Sequence, residues 1–224
     1  MTLARRIVAE GVGTALLLAA VVGSGIMGER LAGGNVAIAL LANTLATGGI
    51  LFALILTFGP VSGAHLNPAV TLAEASLGGL PWPEVPGYVV AQISGAFAGV
   101  VVAHIMFGLP LLSASRHARA GAPQIFSEFV ATFGLLAVIQ GCARFRPSAV
   151  PCAVAAWIIG AYWFTASTSF ANPAVTLARS VSDTFAGIRP ADTPGFIVAQ
   201  LLGAAAATLL FRWLVPITEA VHDR

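Results

Sequence analysis

One heptapeptide occurs twice in this chain, and its residue types suit a polar site at the end of a helix. Asn-Pro-Ala-Val-Thr-Leu-Ala begins at Asn67 and again at Asn172. Asn is among the best helix N-caps, and Pro is favoured in the first helical turn. Each copy therefore predicts a helix N-terminus beside an amide that can donate hydrogen bonds. The predicted site comprises Asn67, Pro68, Ala69, Asn172, Pro173 and Ala174.

The composition indicates a membrane protein. Hydrophobic residues make up 58% of the chain and charged residues only 9%, whereas soluble domains carry about a quarter charged residues. So few charges cannot cover a water-facing surface, and we expect the lipid bilayer to cover much of it. The net charge of +2 gives no argument for a nucleic-acid partner. The sequence also shows no nucleophile–base pair and no metal signature, so we predict no enzyme, no cofactor and no metal site.

Six apolar stretches are each close to the ~20 residues that a bilayer-spanning helix needs. The first has arginines before it, as a secretory signal does. However, Glu10 interrupts its apolar core, and the pattern Glu10-x-x-x-Thr14 recurs as Glu128-x-x-x-Thr132. We therefore interpret it as an uncleaved helix. The predicted spans are Ile7–Met27, Val36–Phe58, Val85–Phe107, Ile125–Cys142, Ala149–Ala166 and Gly195–Leu214.

The chain is an internal duplication. The Glu-x-x-x-Thr pattern, the heptapeptide and a third match follow in the same order in both halves. The third match is GYVVAQISGA from Gly87 against GFIVAQLLGA from Gly195. We interpret residues 1–224 as one domain with repeat halves of about 1–113 and 114–224. Each half holds three spans, so the halves enter the membrane from opposite sides, which makes an inverted repeat.

Each heptapeptide opens an apolar segment, about 67–77 and 172–183, that is too short to span the bilayer. Inverted symmetry brings both N-termini to the middle of the membrane, where their partial positive charges disfavour cations. The irregular segments before them can only line a wet passage, because unpaired backbone cannot face lipid. The prediction is an all-α membrane protein with six transmembrane helices and two re-entrant half-helices. Between them we expect a passive pore for small neutral molecules.

These motifs closely resemble the aquaporin and glycerol-facilitator family over essentially the whole chain. The resemblance rests on the two Asn-Pro-Ala motifs, the lead-in Ser-Gly-Ala-His-Leu and the paired Glu and Gln residues. It implies a homotetramer with one pore per subunit that passes water and small neutral solutes. It also implies a multi-pass protein of the inner membrane with both termini in the cytoplasm. The arginines divide almost evenly between the two faces, so charge supports this orientation only weakly.

The residue after the second Asn-Pro-Ala departs from the common family pattern. Most family members have an arginine there, which helps to form the outer constriction, whereas this chain has Val175. Counting without gaps places Thr47, Gly160 and Ser169 at the other three constriction positions. Such a ring is wide, uncharged and short of strong donors. It resembles the filters of bacterial aquaglyceroporin-like channels associated with arsenic resistance, which implies passage of glycerol or of arsenite-type metalloid hydroxides.

The constriction has two alternative descriptions. If a gap shifts the count, Phe170 or Trp163 narrows the pore instead. Arg179 lies one turn after Val175 on the same helix face. It is either a substitute guanidinium at the mouth or a solvated or ion-paired residue.

Acidic residues inside spans are functional candidates. The resemblance implies that Glu10 and Glu128 accept hydrogen bonds from the re-entrant loops, and a proton relay is the alternative. His65 is implied to brace the first loop. We interpret the segment that holds Arg116, His117 and Arg119 as an ordinary solvated loop, and His104 as a packing residue at the end of a span.

Three other functions remain open. A water-selective channel would exclude larger solutes. An ion-coupled secondary transporter also uses inverted repeats and broken helices. It needs a site for the coupling ion, however, and neither an Asp nor a pair of acidic residues lies near either Asn-Pro-Ala motif. A non-conducting junction or scaffold protein would pass nothing. Solute flux that does not saturate and needs no ion gradient would identify a channel.

Overall fold

The computed structural model describes residues 1–215, so the last nine positions of the predicted second half, 216–224, lie outside it. The part that it describes is helical and contains no strand. Short 3-10 turns precede α4, α6 and α8. The helices are α1 Leu3–Leu31, α2 Val36–Ser62, α3 Pro68–Ser76, α4 Val85–Phe107, α5 Ala122–Phe145, α6 Val150–Phe164, α7 Pro173–Arg179 and α8 Thr193–Leu214. The all-α prediction is confirmed.

Six of these helices are long and apolar enough to cross a membrane. They match the six predicted spans, although several extend beyond the apolar windows because helices continue into polar ends. For example, α2 runs through Pro60 and ends at Ser62. Large apolar side chains are exposed on the outside of the bundle, including Val90, Phe126, Val198 and Trp213. A surface of this kind faces lipid or another subunit.

The two short helices are α3, of nine residues, and α7, of seven. At 1.5 Å per residue they are about 14 and 10 Å long, less than half of the ~30 Å hydrocarbon core. The predicted second half-helix, 172–183, is too long, because α7 ends at Arg179. Ser180, Ser182 and Asp183 follow it, and such side chains favour turns over helix interiors.

Small residues allow the two longest helix contacts. α1 packs on α4, and α5 packs on α8. A side chain at Gly95 of α4 would collide with the carbonyl group of Gly11 in α1, and one at Gly203 of α8 would collide with that of Phe129 in α5. Gly95 and Gly203 are equivalent positions in the third repeated motif. The duplication therefore conserves the helix packing as well as the pore motif.

The six long helices alternate in direction along the chain. The loop before α3 enters the bundle from one face and α3 leads back to that face, and the loop before α7 and α7 do the same at the other face. We call the N-terminal face the one where Arg6 pairs with Glu84, and the opposite face the one where Arg116 pairs with Asp183. α3 belongs to the N-terminal face and α7 to the opposite face. The two half-helices contact each other in the centre of the bundle.

Candidate functional site

Asn67 and Asn172 cap the two half-helices, as predicted. Oδ1 of Asn67 accepts a hydrogen bond from the backbone N–H of Ala69 at 2.9 Å, and Oδ1 of Asn172 accepts one from that of Ala174 at 3.0 Å. The intervening prolines occupy the first helical turn, where a missing N–H has no consequence. Pro68, Ala69, Pro173 and Ala174 are all buried. Each motif therefore starts its helix in the same way.

The same two side chains also hydrogen-bond across the centre of the molecule. Nδ2 of Asn67 donates to the carbonyl oxygen of Ala171, and Nδ2 of Asn172 donates to that of Leu66, each at 2.8 Å. The bonds are reciprocal, because each acceptor directly precedes the other Asn. An amide nitrogen carries two hydrogens, so one N–H of each Asn remains for a molecule in the cavity between them.

The residues before each Asn have an unusual backbone conformation. Leu66 and Ala171 have φ angles of +51° and +49°, and Ala64 and Ser169 have +48° and +51°. The left-handed region costs a non-glycine residue about 1–2 kcal/mol, so both loops need strong partners. They are the irregular segments that the sequence predicts to line a wet passage.

Glu10 holds the first loop. Its side chain is fully buried and accepts backbone hydrogen bonds from His65 at 3.0 Å and from Leu66 at 2.6 Å. Ser62 and Gln92 donate to the same carboxylate at 2.6 and 2.8 Å. Its oxygens are therefore occupied by the loop and its neighbours. This geometry agrees with the bracing interpretation.

Glu128 holds the second loop in the same manner. Phe170 and Ala171 donate their backbone N–H groups to its carboxylate, each at 2.9 Å, and Gln200 donates at 2.6 Å. Gln200 also donates to Thr176 at 2.8 Å, as Gln92 does to Thr71 in the first half. The paired Glu and Gln residues of the sequence are therefore the supports of the two loops.

His65 contacts the first half-helix. Its Nδ1 lies 3.1 Å from Oγ1 of Thr71, and its ring centroid lies 5.3 Å from that of Tyr88. The side chain also borders the cavity. The structure thus places His65 where it can brace the loop, as the resemblance implies. His104 is buried and contacts the carbonyl groups of Pro110 and Leu111 and the hydroxyl of Ser182, which fits its packing role.

The cavity between the two loops has a volume of about 500 Å³. Its lining extends from Arg6 and Leu80, on the N-terminal face, to Arg179 on the opposite face. Asn67 and Asn172 both border it. The remaining wall is largely apolar and includes Leu17, Val21, Ile55, Leu135, Val154 and Ile158. A solute therefore meets polar groups along the loops and an apolar wall elsewhere.

Three of the four predicted constriction residues border this cavity, and the fourth does not. Thr47, Ser169 and Val175 are buried and contribute to the lining. Gly160 is exposed, and a Cβ placed on it would meet nothing within 4 Å. Gly160 lies two residues from Ile158, which puts it on the other side of α6 because successive helical residues are about 100° apart. The prediction for Gly160 is wrong.

Tyr162 takes the place that the sequence count assigned to Gly160. It is buried, borders the cavity, and its hydroxyl lies 3.3 Å from Oγ1 of Thr47. Val154, Ile158 and Tyr162 recur every four residues on one face of α6, a spacing that identifies its cavity side. Of the two alternatives, Trp163 is 49% exposed and points away, whereas Phe170 is buried and borders the cavity.

Arg179 is buried, and no acidic residue among positions 1–215 pairs with it. Its guanidinium carbon lies 3.3 Å from the centroid of the Phe170 ring, and its Nε donates to the carbonyl group of Ala186. A cation over an aromatic face gains about 0.5–2 kcal/mol. The residue borders the cavity. Arg179 is therefore not ion-paired within residues 1–215, and its guanidinium borders the end of the cavity on the opposite face.

The loop interpretation is wrong for one of its three residues. Arg116 and His117 are exposed, but only 8% of Arg119 is exposed. Its side chain donates to the carbonyl groups of Gly187 at 2.8 Å and Ser167 at 3.2 Å, and its guanidinium carbon lies 5.0 Å from the Phe170 centroid. Burial lowers the pKa of Arg119 to about 10. Nothing in the loop sequence indicates that Arg119 is buried while Arg116 is exposed.

No group of three or more His, Cys, Asp or Glu side chains within residues 1–215 is arranged to hold a metal ion.

We call the part of the cavity beside Phe170 and Arg179 the opposite mouth, and the part beside His65 and Glu74 the N-terminal mouth. A helical bundle with an apolar exterior, and with a cavity that extends between its two faces past two re-entrant half-helices, has the architecture of a transmembrane channel.

Comparisons with known proteins identify the family. A profile described as Major intrinsic protein matches residues 1–168. Aquaglyceroporin AqpS of Rhizobium meliloti (strain 1021) is 56% identical over 213 residues, which cover 95% of this chain and 91% of that protein. The probable aquaporin AqpM of Archaeoglobus fulgidus is 31% identical over 242 residues, 96% of this chain and 98% of that one. The chain belongs to the major intrinsic protein family.

A solved structure agrees with this assignment at the level of the fold. The X-ray structure of the aquaglyceroporin from Plasmodium falciparum superposes with a TM-score of 0.74 at 23% identity, and the match covers 98% of this chain and 99% of that one. The inverted arrangement of six spans and two half-helices is thus a known fold. With the family, it makes this protein a channel for water and small neutral solutes, and it supports none of the three other functions considered above.

Proposed function

We propose that this channel passes neutral solutes larger than water, such as glycerol and arsenite-type metalloid hydroxides, together with water itself. The observation that carries the proposal is the uncharged side chain of Val175 in the first turn of α7, which borders the cavity, as Thr47 and Ser169 do. An arginine at position 175 would narrow the passage at this point. The relative in Rhizobium meliloti is named an aquaglyceroporin, which also supports the proposal.

The mechanism is exchange of hydrogen bonds along the loops. A hydroxyl-bearing solute leaves its water shell and donates to backbone carbonyl groups of the loops. Its oxygen atoms accept from the free N–H groups of Asn67 and Asn172. The apolar wall offers no competing partner, so carbon atoms of the solute can lie against it. Binding stays weak because no charged group holds a neutral solute, and weak binding allows fast release.

We further propose a homotetramer in the inner membrane with both termini in the cytoplasm. Four copies would give four pores, one per subunit. The exposed apolar exterior of the bundle provides surface for subunit contacts and for lipid. An even number of spans supports this orientation, because six crossings return a chain to the side from which it started. The resemblance to the aquaporin family supports the cytoplasm as that side.

The test is a solute panel on purified protein in liposomes. Stopped-flow light scattering would give permeabilities for water, glycerol, a larger polyol and arsenous acid, with protein-free liposomes as the baseline. We expect water, glycerol and arsenous acid to exceed the baseline and the rates to rise linearly with concentration. Water flux alone would instead identify a water-selective channel, in which Tyr162 and Arg179 close the passage to larger solutes.

A further inference from the structure

Arg179 is the charged residue that borders the cavity at the opposite mouth. It ends α7 one turn after Val175, and only 2% of its surface is exposed. Both residues border the cavity. The charge that is absent at position 175 is therefore supplied one turn later on the same helix face.

No acidic side chain among residues 1–215 forms an ion pair with Arg179. The ion pairs of residues 1–215 involve Arg6, Arg116 and Arg189. Within the same residues, the Nε of Arg179 has a carbonyl acceptor, and its two terminal nitrogens have none. A buried guanidinium that borders a wet cavity satisfies its remaining donors there. Its positive charge thus acts on whatever enters the mouth.

The side chain is held in place by a fixed stack. The ring of Phe170 lies against Arg179, and Arg119 approaches the same ring. The backbone N–H of Phe170 is bound to Glu128, and Arg119 is anchored by the carbonyl group of Gly187. Two guanidinium groups therefore share one aromatic ring, and Glu128 is the one buried acid of residues 1–215 that acts on both of them. The position equivalent to Arg179 in the first half is Glu74, and the arginine that borders the cavity on the N-terminal face, Arg6, is paired with Glu84.

We infer that Arg179 is the residue that excludes cations and protons at the opposite mouth, and that Phe170 positions it for this role. The inference rests on the proposed channel function and adds charge selectivity to it. A unit charge a few ångströms from the path repels an entering cation strongly, because the mouth is partly shielded from water. Neutral solutes are not repelled, so they pass while cations do not.

The first experiment compares Arg179→Met with Arg179→Lys and with Arg189→Met. Met keeps an apolar stem and removes the charge, Lys keeps the charge, and Arg189 forms a surface ion pair on the same face. Proteoliposomes would be assayed for potassium and proton flux under imposed gradients and for water swelling. We expect Arg179→Met to raise the ratio of cation flux to water flux about tenfold or more. Arg179→Lys and Arg189→Met should exclude cations as the wild type does.

A second variant keeps the inference testable if Arg179→Met does not fold. Arg179→Cys would be made in a background where the two native free cysteines, Cys142 and Cys152, are replaced by Ala. A cationic methanethiosulfonate reagent should restore cation exclusion, and a neutral reagent of similar size should not.

Unchanged cation exclusion in Arg179→Met, or equal restoration by both reagents, would overturn the inference. Failure of the proposed function has a different signature, because the wild-type liposomes would then show no glycerol or arsenous acid flux before any variant is compared.

Discussion

The loop and half-helix that enter from the N-terminal face, residues 63–76, hold their central Asn in the same way as residues 168–179, which enter from the opposite face. In both, a left-handed residue precedes the Asn, a buried Glu binds the loop backbone, and a Gln bridges that Glu to a Thr of the half-helix. The two halves differ away from the centre. His65 in the first is replaced by Phe170 in the second, and Glu74 by Arg179.

This difference shows which residues must stay the same in both repeat halves and which can differ between them. The two Asn residues hydrogen-bond to each other's loops, so a change in one half would remove a bond from both. Within residues 1–215, the structure shows no such reciprocal bond for His65, Phe170, Glu74 or Arg179. The mouths can therefore diverge in charge and shape without loss of the central structure, and selectivity can be adjusted at one mouth alone.

The largest expected effect is on the stability of the protein, and it differs between Glu10 and Glu128, the two acids that support the loops. Glu10 accepts from four donors and Glu128 from three, because Ser62 binds only Glu10. Each buried donor left unpaired costs about 1–3 kcal/mol. We expect Glu10→Ala and Glu128→Ala to lower stability strongly, Glu10→Ala more so. The Glu→Gln variants, which keep an acceptor, should be milder. Thermal unfolding in detergent measures this order. Equal loss of conduction in Ala and Gln variants at normal stability would instead indicate titration of the acids.

The next effect tests the reciprocity of the central pair. Asn67→Leu and Asn172→Leu each remove a helix cap and one cross-loop hydrogen bond. Loss of such a polar group costs about 1–3 kcal/mol, on the order of a tenfold reduction in flux or more. We expect similar reductions in water and glycerol permeability for the two variants. Normal flux in either variant, once its folding is verified, contradicts the role assigned to the amides.

A smaller effect distinguishes the two sides of α6 at the opposite mouth. Tyr162 borders the cavity, so Tyr162→Ala should widen it and raise glycerol flux severalfold relative to water. Gly160→Leu is the matched control, because position 160 faces away from the cavity and has free space around it. We expect an unchanged ratio of glycerol to water flux in that variant. A change in Gly160→Leu alone would restore the count made from the sequence.

The smallest effect concerns the surface of the opposite face. Hydrogen bonds from the backbone and side chain of Arg116 lower the pKa of Asp183. A carboxylate with a lowered pKa contributes stability above its unfolded pKa of about 3.9 and loses it as the pH falls further. We expect Asp183→Asn to destabilise by at most about 1 kcal/mol at pH 7, and less at pH 3. Detergent unfolding at the two pH values would reveal a larger role if the loss persisted at pH 3.

Most of the fold could be predicted from the sequence, because bilayer thickness sets span length and the repeat sets topology. The helix caps at Asn67 and Asn172 followed from a local motif, whereas the contacts of Glu10 and Glu128 with the loops were implied by the family resemblance. Gly160 could not be placed, since counting backwards from Asn172 passes through an irregular loop and carries no information on helix rotation. The spacing of Val154, Ile158 and Tyr162 nevertheless indicates which face of α6 borders the cavity.

The opposite mouth was the least predictable part of the molecule. Arg119 looks like any loop arginine, and its burial depends on carbonyl groups that are distant in the sequence, such as that of Ser167. The position of Arg179 relative to Phe170 likewise follows from the path of the chain after α7. Contacts of this kind leave no local pattern, whereas the helix caps at the centre do.

The most direct measurement is the ratio of glycerol or arsenous acid permeability to water permeability, in wild type and in Val175→Arg, in liposomes of the same composition. An arginine in the first turn of α7 would occupy space in the cavity and add donors and a charge there. The wide-pore account predicts that the wild type passes both larger solutes and that Val175→Arg reduces them more than it reduces water. A wild type that passes water but excludes both solutes would contradict the account.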